Sequence, residues 1–423
     1  MVANPQQFLK DMFTASVEAA DPMLCVPRHL PDTSGYNRVV VVGAGKAAAS
    51  MAEAAEKHLT GPFEGLVITR YGYTAPCEKI EVVEAAHPVP DKAGADAAQR
   101  MIDLVSELGE GDLVIALVSG GGSSLLSAPA PGLTLEDKQA VNRELLRCGA
   151  NIREMNTVRR HISAIKGGRL AAAAHPAKVH AIMISDIPGD DMGAIASGPT
   201  VADPTTFDDA MEIVTRYKLN LPASVMKHLQ AGVDESPKPG DPALSNVTNV
   251  LAATPLQSLQ AAADFARKNG VEPIILSDAI EGESSEAGKV LSGVALSVKA
   301  HGLPVSAPAV ILSGGETTVT IKGDGSGGPN AELTLSAALT LQGEAGIWVM
   351  ACDTDGVDGA REIAGAIAGP DTLAKAEAKG LSARKALANN DAHNFFEALG
   401  DGVVTGPTHT NVNDLRAFLV LPS

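Results

Sequence analysis

The sequence predicts an α/β protein of two domains, and three observations carry that reading. Short apolar runs closed by glycine, such as residues 39–42 before Gly43, alternate with Ala-rich stretches of helical period. The runs are continuous instead of alternating, so they read as strands covered on both faces, which is how largely parallel sheets look in sequence. The length, 423 residues with 45% hydrophobic content, exceeds what a single core usually holds.

Taken in order, residues 6–20 place Phe8, Leu9, Met12, Phe13 and Val17 on one stripe, which predicts an amphipathic helix. The valine run at 39–42 predicts a strand, a Gly-Ala-Gly-Lys turn and an Ala-rich helix. Further strands are predicted at 65–70, 113–118, 179–184, 309–312 and 347–352. Residues 231–245 are rich in proline, glycine and acid without periodicity and read as a linker. The domains are therefore set at 1–235 and 236–423. The pattern Ser-Gly-Gly followed by two hydroxyl residues occurs on both sides of that linker, at Val118 to Leu126 and Leu312 to Thr320. Internal duplication and chance recurrence in glycine-rich turns both account for it.

Composition excludes several functions. Lys plus Arg number 33 against 50 Asp plus Glu, a formal charge of −17, which argues against nucleic acid and anionic membranes as partners. Aromatics at 3% supply few stacking platforms. Cys25, Cys77, Cys148 and Cys352 form no C-x-x-C pair, so neither structural zinc nor a disulfide framework is expected, and a reduced, cytoplasmic setting is. No stretch approaches the roughly 18 apolar residues that cross a bilayer.

Glycine turns at strand ends carry the candidate chemistry. Gly43-Ala44-Gly45-Lys46-Ala47-Ala48 fits G-x-G-x-x-A, the looser dinucleotide fingerprint, and so admits an NAD(P)H reading. The next strand ends in Thr69-Arg70, with no carboxylate for a ribose diol, although Arg70 suits a 2′-phosphate. Lys46 is a cation suited to a phosphoryl group or a carboxylate. Ser119-Gly120-Gly121-Gly122-Ser123-Ser124 reads as an anion-binding nest or a plain turn; a nucleophilic serine lacks G-x-S-x-G around it. Asp186, Asp190 and Asp191 cluster at the next strand end, as hard ligands for Mg²⁺ or as turn and cap residues. One of them suits acceptance of a substrate hydroxyl proton. Arg159, Arg160, Lys166 and Arg169 concentrate cations in an acidic chain, either a solvated helix face or an anion-recruiting patch. Gly323 to Gly328 suggests a mobile lid or an exposed hairpin tip. Asp353 to Gly359 lacks the bidentate glutamate of an EF-hand, which leaves an acidic cluster at a strand end.

Together VVGAGKA, HPVPD (His87 to Asp91), SGGGSSLL, N-x-V-R-x-H-x-S-x-I-K-G-G-x-L (Asn156 to Leu170), SD-x-PGDD, SGPT, SGGETTV, T-D-G-x-D-G and GPT-x-TNVND (Gly406 to Asp414) resemble the class II glycerate 2-kinases. Members of that family have often been labelled hydroxypyruvate reductases. The resemblance covers nearly the whole chain. It implies a Rossmann-like N-terminal domain, a MOFRL-type C-terminal domain and an active site in the cleft between them. It further implies phosphorylation of the 2-hydroxyl of D-glycerate with ATP and Mg²⁺, the alternative being an NAD(P)H-dependent hydroxypyruvate reductase. A metabolite-binding protein without activity is a third possibility, and a homo-oligomer is compatible with all three.

The resemblance places the family's catalytic lysine at Lys46 and suggests that Asp190 helps hold substrate, phosphates and metal; Asp190 is also the aspartate best suited to orient or deprotonate the 2-hydroxyl, and the acidic cluster adds Asp186 as a metal ligand. The resemblance also suggests substrate and phosphate binding at Ser119, Gly120, Gly121, Gly122, Ser123 and Ser124, and its C-terminal motifs fall on Ser313, Gly314, Gly315, Glu316, Asn330, Glu332, Asp355, Asp358, Thr408, Asn411 and Asp414; Gly43, Gly45, Arg159 and Lys166 join that set from the first glycine turn and the basic patch. The chain departs from the pattern at three places. Pro329 stands where an arginine is common, leaving Arg361 or Lys322 as substitutes; His409 replaces a glycine; and Ala360-Arg361-Glu362 replaces Pro-Thr-Asp.

Overall fold

The computed structural model describes residues 2–422. They divide into two units. The first comprises Pro22–Ser185 and Asp190–Ala252; the second comprises the chain up to Asp21, Asp186–Gly189 and everything from Ala253 on.

In the first unit, β1 (Val39–Ala44), β2 (Glu64–Arg70), β3 (Ile80–Ala85), β4 (Leu113–Val118), β5 (Lys178–Ile184) and β6 (Val247–Ala253) form one sheet in the order β3-β2-β1-β4-β5-β6. β1 to β5 run parallel. β1 and β4, buried along their whole length, are the continuous valine- and leucine-rich runs of the sequence. Because β6 joins this sheet, the change of unit falls at Ala252/Ala253, past the boundary expected at 235/236. The expected linker is built in: Ser236 and Pro237 are buried, and Ser236 Oγ donates to Asp203 Oδ2 at 3.1 Å.

The second sheet is mixed, which corrects the expectation of largely parallel sheets in both halves. Its order is Gly402–Val403, Gly365–Ala368, Ile347–Asp353, Asp414–Val420, Ala309–Ser313, Glu272–Ser277, and only the last pairing is parallel. The sequence misleads because helices cover both faces, so these antiparallel strands are also apolar throughout. Met350, Cys352, Leu415, Ala417 and Leu419 meet helices Pro5–Glu18 and Pro255–Lys268. Ile347, Val349, Ala351, Phe418 and Val420 meet helices Ser284–His301 and Pro329–Leu341 on the other face. The N-terminal stripe is as predicted, with Phe8, Leu9, Met12 and Phe13 buried. The two Ser-Gly-Gly segments diverge in structure: one opens helix Gly122–Leu125 and the other the short strand Thr317–Thr318.

Candidate active site

In the first unit, two glycine turns at adjacent strand ends pack on each other. A Cβ on Gly43 would lie 2.0 Å from the Leu117 carbonyl oxygen, and one on Gly45, at φ +145°, 2.0 Å from Ser119 Oγ. Both glycines therefore permit the close contact between β1 and β4. The N–H groups of the turn are likewise used within the protein. Gly45 N donates to Ile68 O (3.1 Å), Lys46 N to Gly120 O (2.8 Å), Ala47 N to Ser119 Oγ (3.0 Å) and Ala48 N to Gly45 O (3.1 Å). A dinucleotide pyrophosphate needs such groups as donors. This fingerprint has none to offer at those four positions, and Ser119, fully buried, is its internal cap.

The second turn differs. Among the described residues, the N–H groups of Gly120, Gly121 and Ser123 meet no protein acceptor. Gly121, at φ +78°, lies under the Lys46 stem and the His87 ring, which a Cβ would approach to 3.2 and 3.1 Å. Ser123 Oγ lies 2.8 Å from Ser197 Oγ, and Ser197 Oγ donates to Asn156 Oδ1 at 3.2 Å. Ala196 and Ser197 have φ of +51° and +62°, and Asp190 has φ +54°. Left-handed non-glycine residues cost on the order of 1 kcal/mol or more each and gather at functional sites. Asp190 adds a second anomaly: its Oδ1 is buried without a partner.

The basic segment is not a solvated face. Lys166 is 3% exposed and Lys138, which the sequence reading did not single out, 4%. Lys166 Nζ donates to Ser123 O (2.6 Å) and Ser123 Oγ (2.8 Å), Lys138 Nζ to Ala128 O (3.1 Å), and Arg159 Nε to Asn142 Oδ1 (3.0 Å). All three partners are neutral. Burial pushes the Lys138 ammonium down to about 7 and lowers Lys166 and Arg159 as well, each crowded or flanked by like charge or apolar wall. Arg160, by contrast, pairs with Asp203 at 3.1 Å. A cavity of about 220 Å³ lies beside these cations, lined in part by Ser123, Ser124, Arg159 and Lys166.

In the second unit, most expected ligand contacts are structural. Asp358 Oδ1 and Oδ2 accept the N–H groups of Asn330 and Ala331 at 2.9 Å each, capping helix Pro329–Leu341, whose N-cap Gly328 has no side chain to do so. His393 Nε2 lies 3.0 Å from Asp358 Oδ2. Asn330 Nδ2 donates to Asp414 Oδ1 (2.7 Å), and Arg416, fully buried, donates to Asp414 Oδ2 (2.6 Å), Gly314 O (2.8 Å) and Gly315 O (3.0 Å). Arg416 thus holds the Ser313-Gly314-Gly315 turn, with Ser313 buried and Glu316 exposed beyond it. Glu332 Oε1 accepts from Asn390 Nδ2 at 2.8 Å, and burial raises its pKa. Asp355 Oδ1 accepts Val357 N (2.8 Å), and Thr408 N donates to Asp355 O (3.3 Å). Asn411 Nδ2 donates to Asp186 Oδ2 at 3.2 Å.

The expected lid is a packed loop. A Cβ on Gly323, Gly325 or Gly328 would come within about 2.5 Å of Asn389, Asp391 or Asp358, and Asn390 Oδ1 accepts the N–H groups of Lys322 (2.7 Å) and Gly323 (2.9 Å). Pro329 occupies the first helical turn, where a missing N–H costs nothing. Of its proposed substitutes, Arg361 pairs with Glu397 at 3.0 Å. His409 takes φ +59°, the conformation for which glycine is favoured. Among the described residues, no three histidines, cysteines or carboxylates gather as a metal site, and no helix is long and apolar enough to cross a membrane.

Comparison with known proteins identifies the lineage. Residues 8–230 match a domain of unknown function, DUF4147, and residues 309–414 match the MOFRL family. A putative hydroxypyruvate reductase of Agrobacterium vitis is 51% identical over 420 residues, covering 99% of this chain and 95% of that one. The D-glycerate 2-kinase of Thermotoga maritima is 39% identical over 408 residues, 96% of each chain. The crystal structure of a Thermotoga maritima glycerate kinase matches with a TM-score of 0.89 at 38% identity, covering 98% of this chain and 99% of that one. With a DUF4147 match over more than half its length, a MOFRL domain behind it and near-complete alignment to such relatives, this chain belongs to the glycerate kinase family.

Proposed function

We propose that the protein phosphorylates the 2-hydroxyl of D-glycerate with ATP and Mg²⁺, releasing 2-phosphoglycerate and ADP. The relatives named glycerate kinase over the full chain support this. The observation that carries it is the contrast between the two turns. The fingerprint turn spends its N–H groups internally, whereas the Ser119 to Ser124 turn offers its own beside Lys46. That favours anion binding at the second turn over a nicotinamide dinucleotide at the first.

Phosphoryl transfer asks for positioning and charge stabilisation more than covalent chemistry. In this reading Lys46 offsets charge on the transferring group, the Gly120 and Gly121 N–H groups hold its oxygens, and Asp190 Oδ1 accepts the hydroxyl proton. Mg²⁺ usually takes one or two carboxylates together with substrate phosphates. Asp190, through the oxygen that does not take the proton, is the donor that the first unit would offer it, and when bound the ion would neutralise nucleotide phosphate charge.

The test is product analysis with D-glycerate, ATP and Mg²⁺, beside a reaction of hydroxypyruvate with NADPH. Formation of 2-phosphoglycerate with no NADPH consumption is expected, and NADPH oxidation without phosphorylated product overturns the reading. Lys46→Ala is expected to lower kcat by about 10³-fold or more with the fold intact. Near-normal turnover removes Lys46 from its role.

A further inference from the structure

Lys138 and Lys166, both buried, and the half-buried Arg159 beside them have no carboxylate partner among the described residues. Lys138, Arg159 and Lys166 reach only a carbonyl, an amide oxygen and a serine. Burying a charge without a counter-charge is costly, and an anion bound beside the cluster would supply that counter-charge. The neighbouring cavity is of restricted size. Its 220 Å³ is room for a three-carbon hydroxy acid and falls below the ~300 Å³ at which pockets for drug-sized ligands begin. Its outer wall joins the apolar Pro88, Val89, Pro90 and Leu146 with a further cation, Arg143, and Gln139 Nε2 ties that wall to the adjoining segment by donating to Pro90 O at 2.7 Å.

We infer that this cavity is the carboxylate subsite for a small monocarboxylic acid, with Arg159 and Lys166 touching the carboxylate and Lys138 acting through its field from behind. The inference rests on the proposed kinase reading only for the identity of the acid as the phosphoryl acceptor. Arg159 brings a planar fork matched to a carboxylate, and Lys166 brings a point charge fixed by Ser123. Because Ser123 belongs to the glycine turn, the subsite adjoins the N–H groups assigned to phosphate oxygens.

Two measurements test this on the full chain. Calorimetric titration with D-glycerate, without nucleotide, is expected to show one site in the wild type and binding about tenfold or more weaker in both Arg159→Gln and Lys166→Met. D-glyceramide, which has lost the charge, is expected not to bind. In turnover, KM for D-glycerate is expected to rise in both variants while KM for ATP stays within about twofold, and Lys166→Met is not expected to lower Tm, because a buried unpaired charge has been removed. Unchanged D-glycerate binding in both variants, with the wild type still forming 2-phosphoglycerate, overturns the subsite and leaves the kinase reading standing. Charge-dependent binding with no phosphorylated product keeps the subsite and removes the kinase reading. A lowered Tm with both KM values raised shows cations that only brace the turn, and also overturns the subsite.

Discussion

Lys138 sits on the face of helix Leu135–Arg147 that carries Val141 and Leu145, all three buried. Burial first, then the Arg159 guanidinium, lowers its pKa from 10.5 to about 7; Lys166 from the following loop is depressed in the same sense. The sign follows from which state holds more protons. Between pH 7 and 10.5 the unfolded chain keeps the Lys138 proton that the folded chain has released, so this group makes stability rise with pH across that window. Below pH 7 both states are protonated and the full burial cost applies. An anion beside the cluster favours the charged form, so D-glycerate affinity is expected to fall as pH rises through 7. Above that pH binding is expected to take up a proton, measurable as a dependence of the calorimetric heat on the buffer's ionisation enthalpy. Arg159 and Lys166 were legible as a basic cluster, but spacing alone does not distinguish a solvated face from a buried one. Lys138 left a signal that the sequence reading passed over: a lysine at i, with Val141 at i+3 and Leu145 at i+7, lies on the apolar stripe.

Helix Pro329–Leu341 shows how one element can be completed by residues distant in sequence. Its N-cap is a glycine with no room for a side chain, because a Cβ on Gly328 would fall 2.4 Å from the Asp358 carboxyl carbon. Asp358 supplies the acceptor instead, favourably placed at the positive end of the helix. Asp358→Ala leaves two buried N–H groups and His393 without their acceptor, and is expected to cost about 2–5 kcal/mol in urea denaturation. Pro329→Arg restores the residue common in the family at a position that accepts any residue, and is expected to change stability by no more than about 1 kcal/mol. Comparing kcat for this variant with the wild type then isolates what the missing arginine does. The glycines of this region were legible as a loop. Their purpose was not, since glycine tolerates the close approach of a ligand and of the protein's own chain equally. Here Asn389 to Asp391 are what approaches.

At the scale of the molecule, the second unit is discontinuous in sequence. Helix Pro5–Glu18 buries Phe8, Leu9, Met12 and Phe13 against Leu259, Ala262, Ala263 and Ala266 of helix Pro255–Lys268 and against the sheet. Ser258 Oγ donates to Ser16 O at 2.8 Å and Thr410 Oγ1 to Ala20 O at 2.7 Å. The sequence announced the apolar stripe but not its partner, because periodicity reports that a face is buried and is silent on what covers it. At about 1.5–3 kcal/mol for each large apolar side chain, four of them contribute roughly 6–12 kcal/mol, comparable with the 5–15 kcal/mol net stability of a whole domain. A fragment beginning at Ala253 is therefore expected not to fold, showing no cooperative thermal transition and binding a hydrophobic dye. The same fragment with residues 2–21 joined through a flexible Gly/Ser linker is expected to unfold cooperatively. If the bare fragment melts as sharply as the fused one, the N-terminal helix adds nothing to a core that is complete without it.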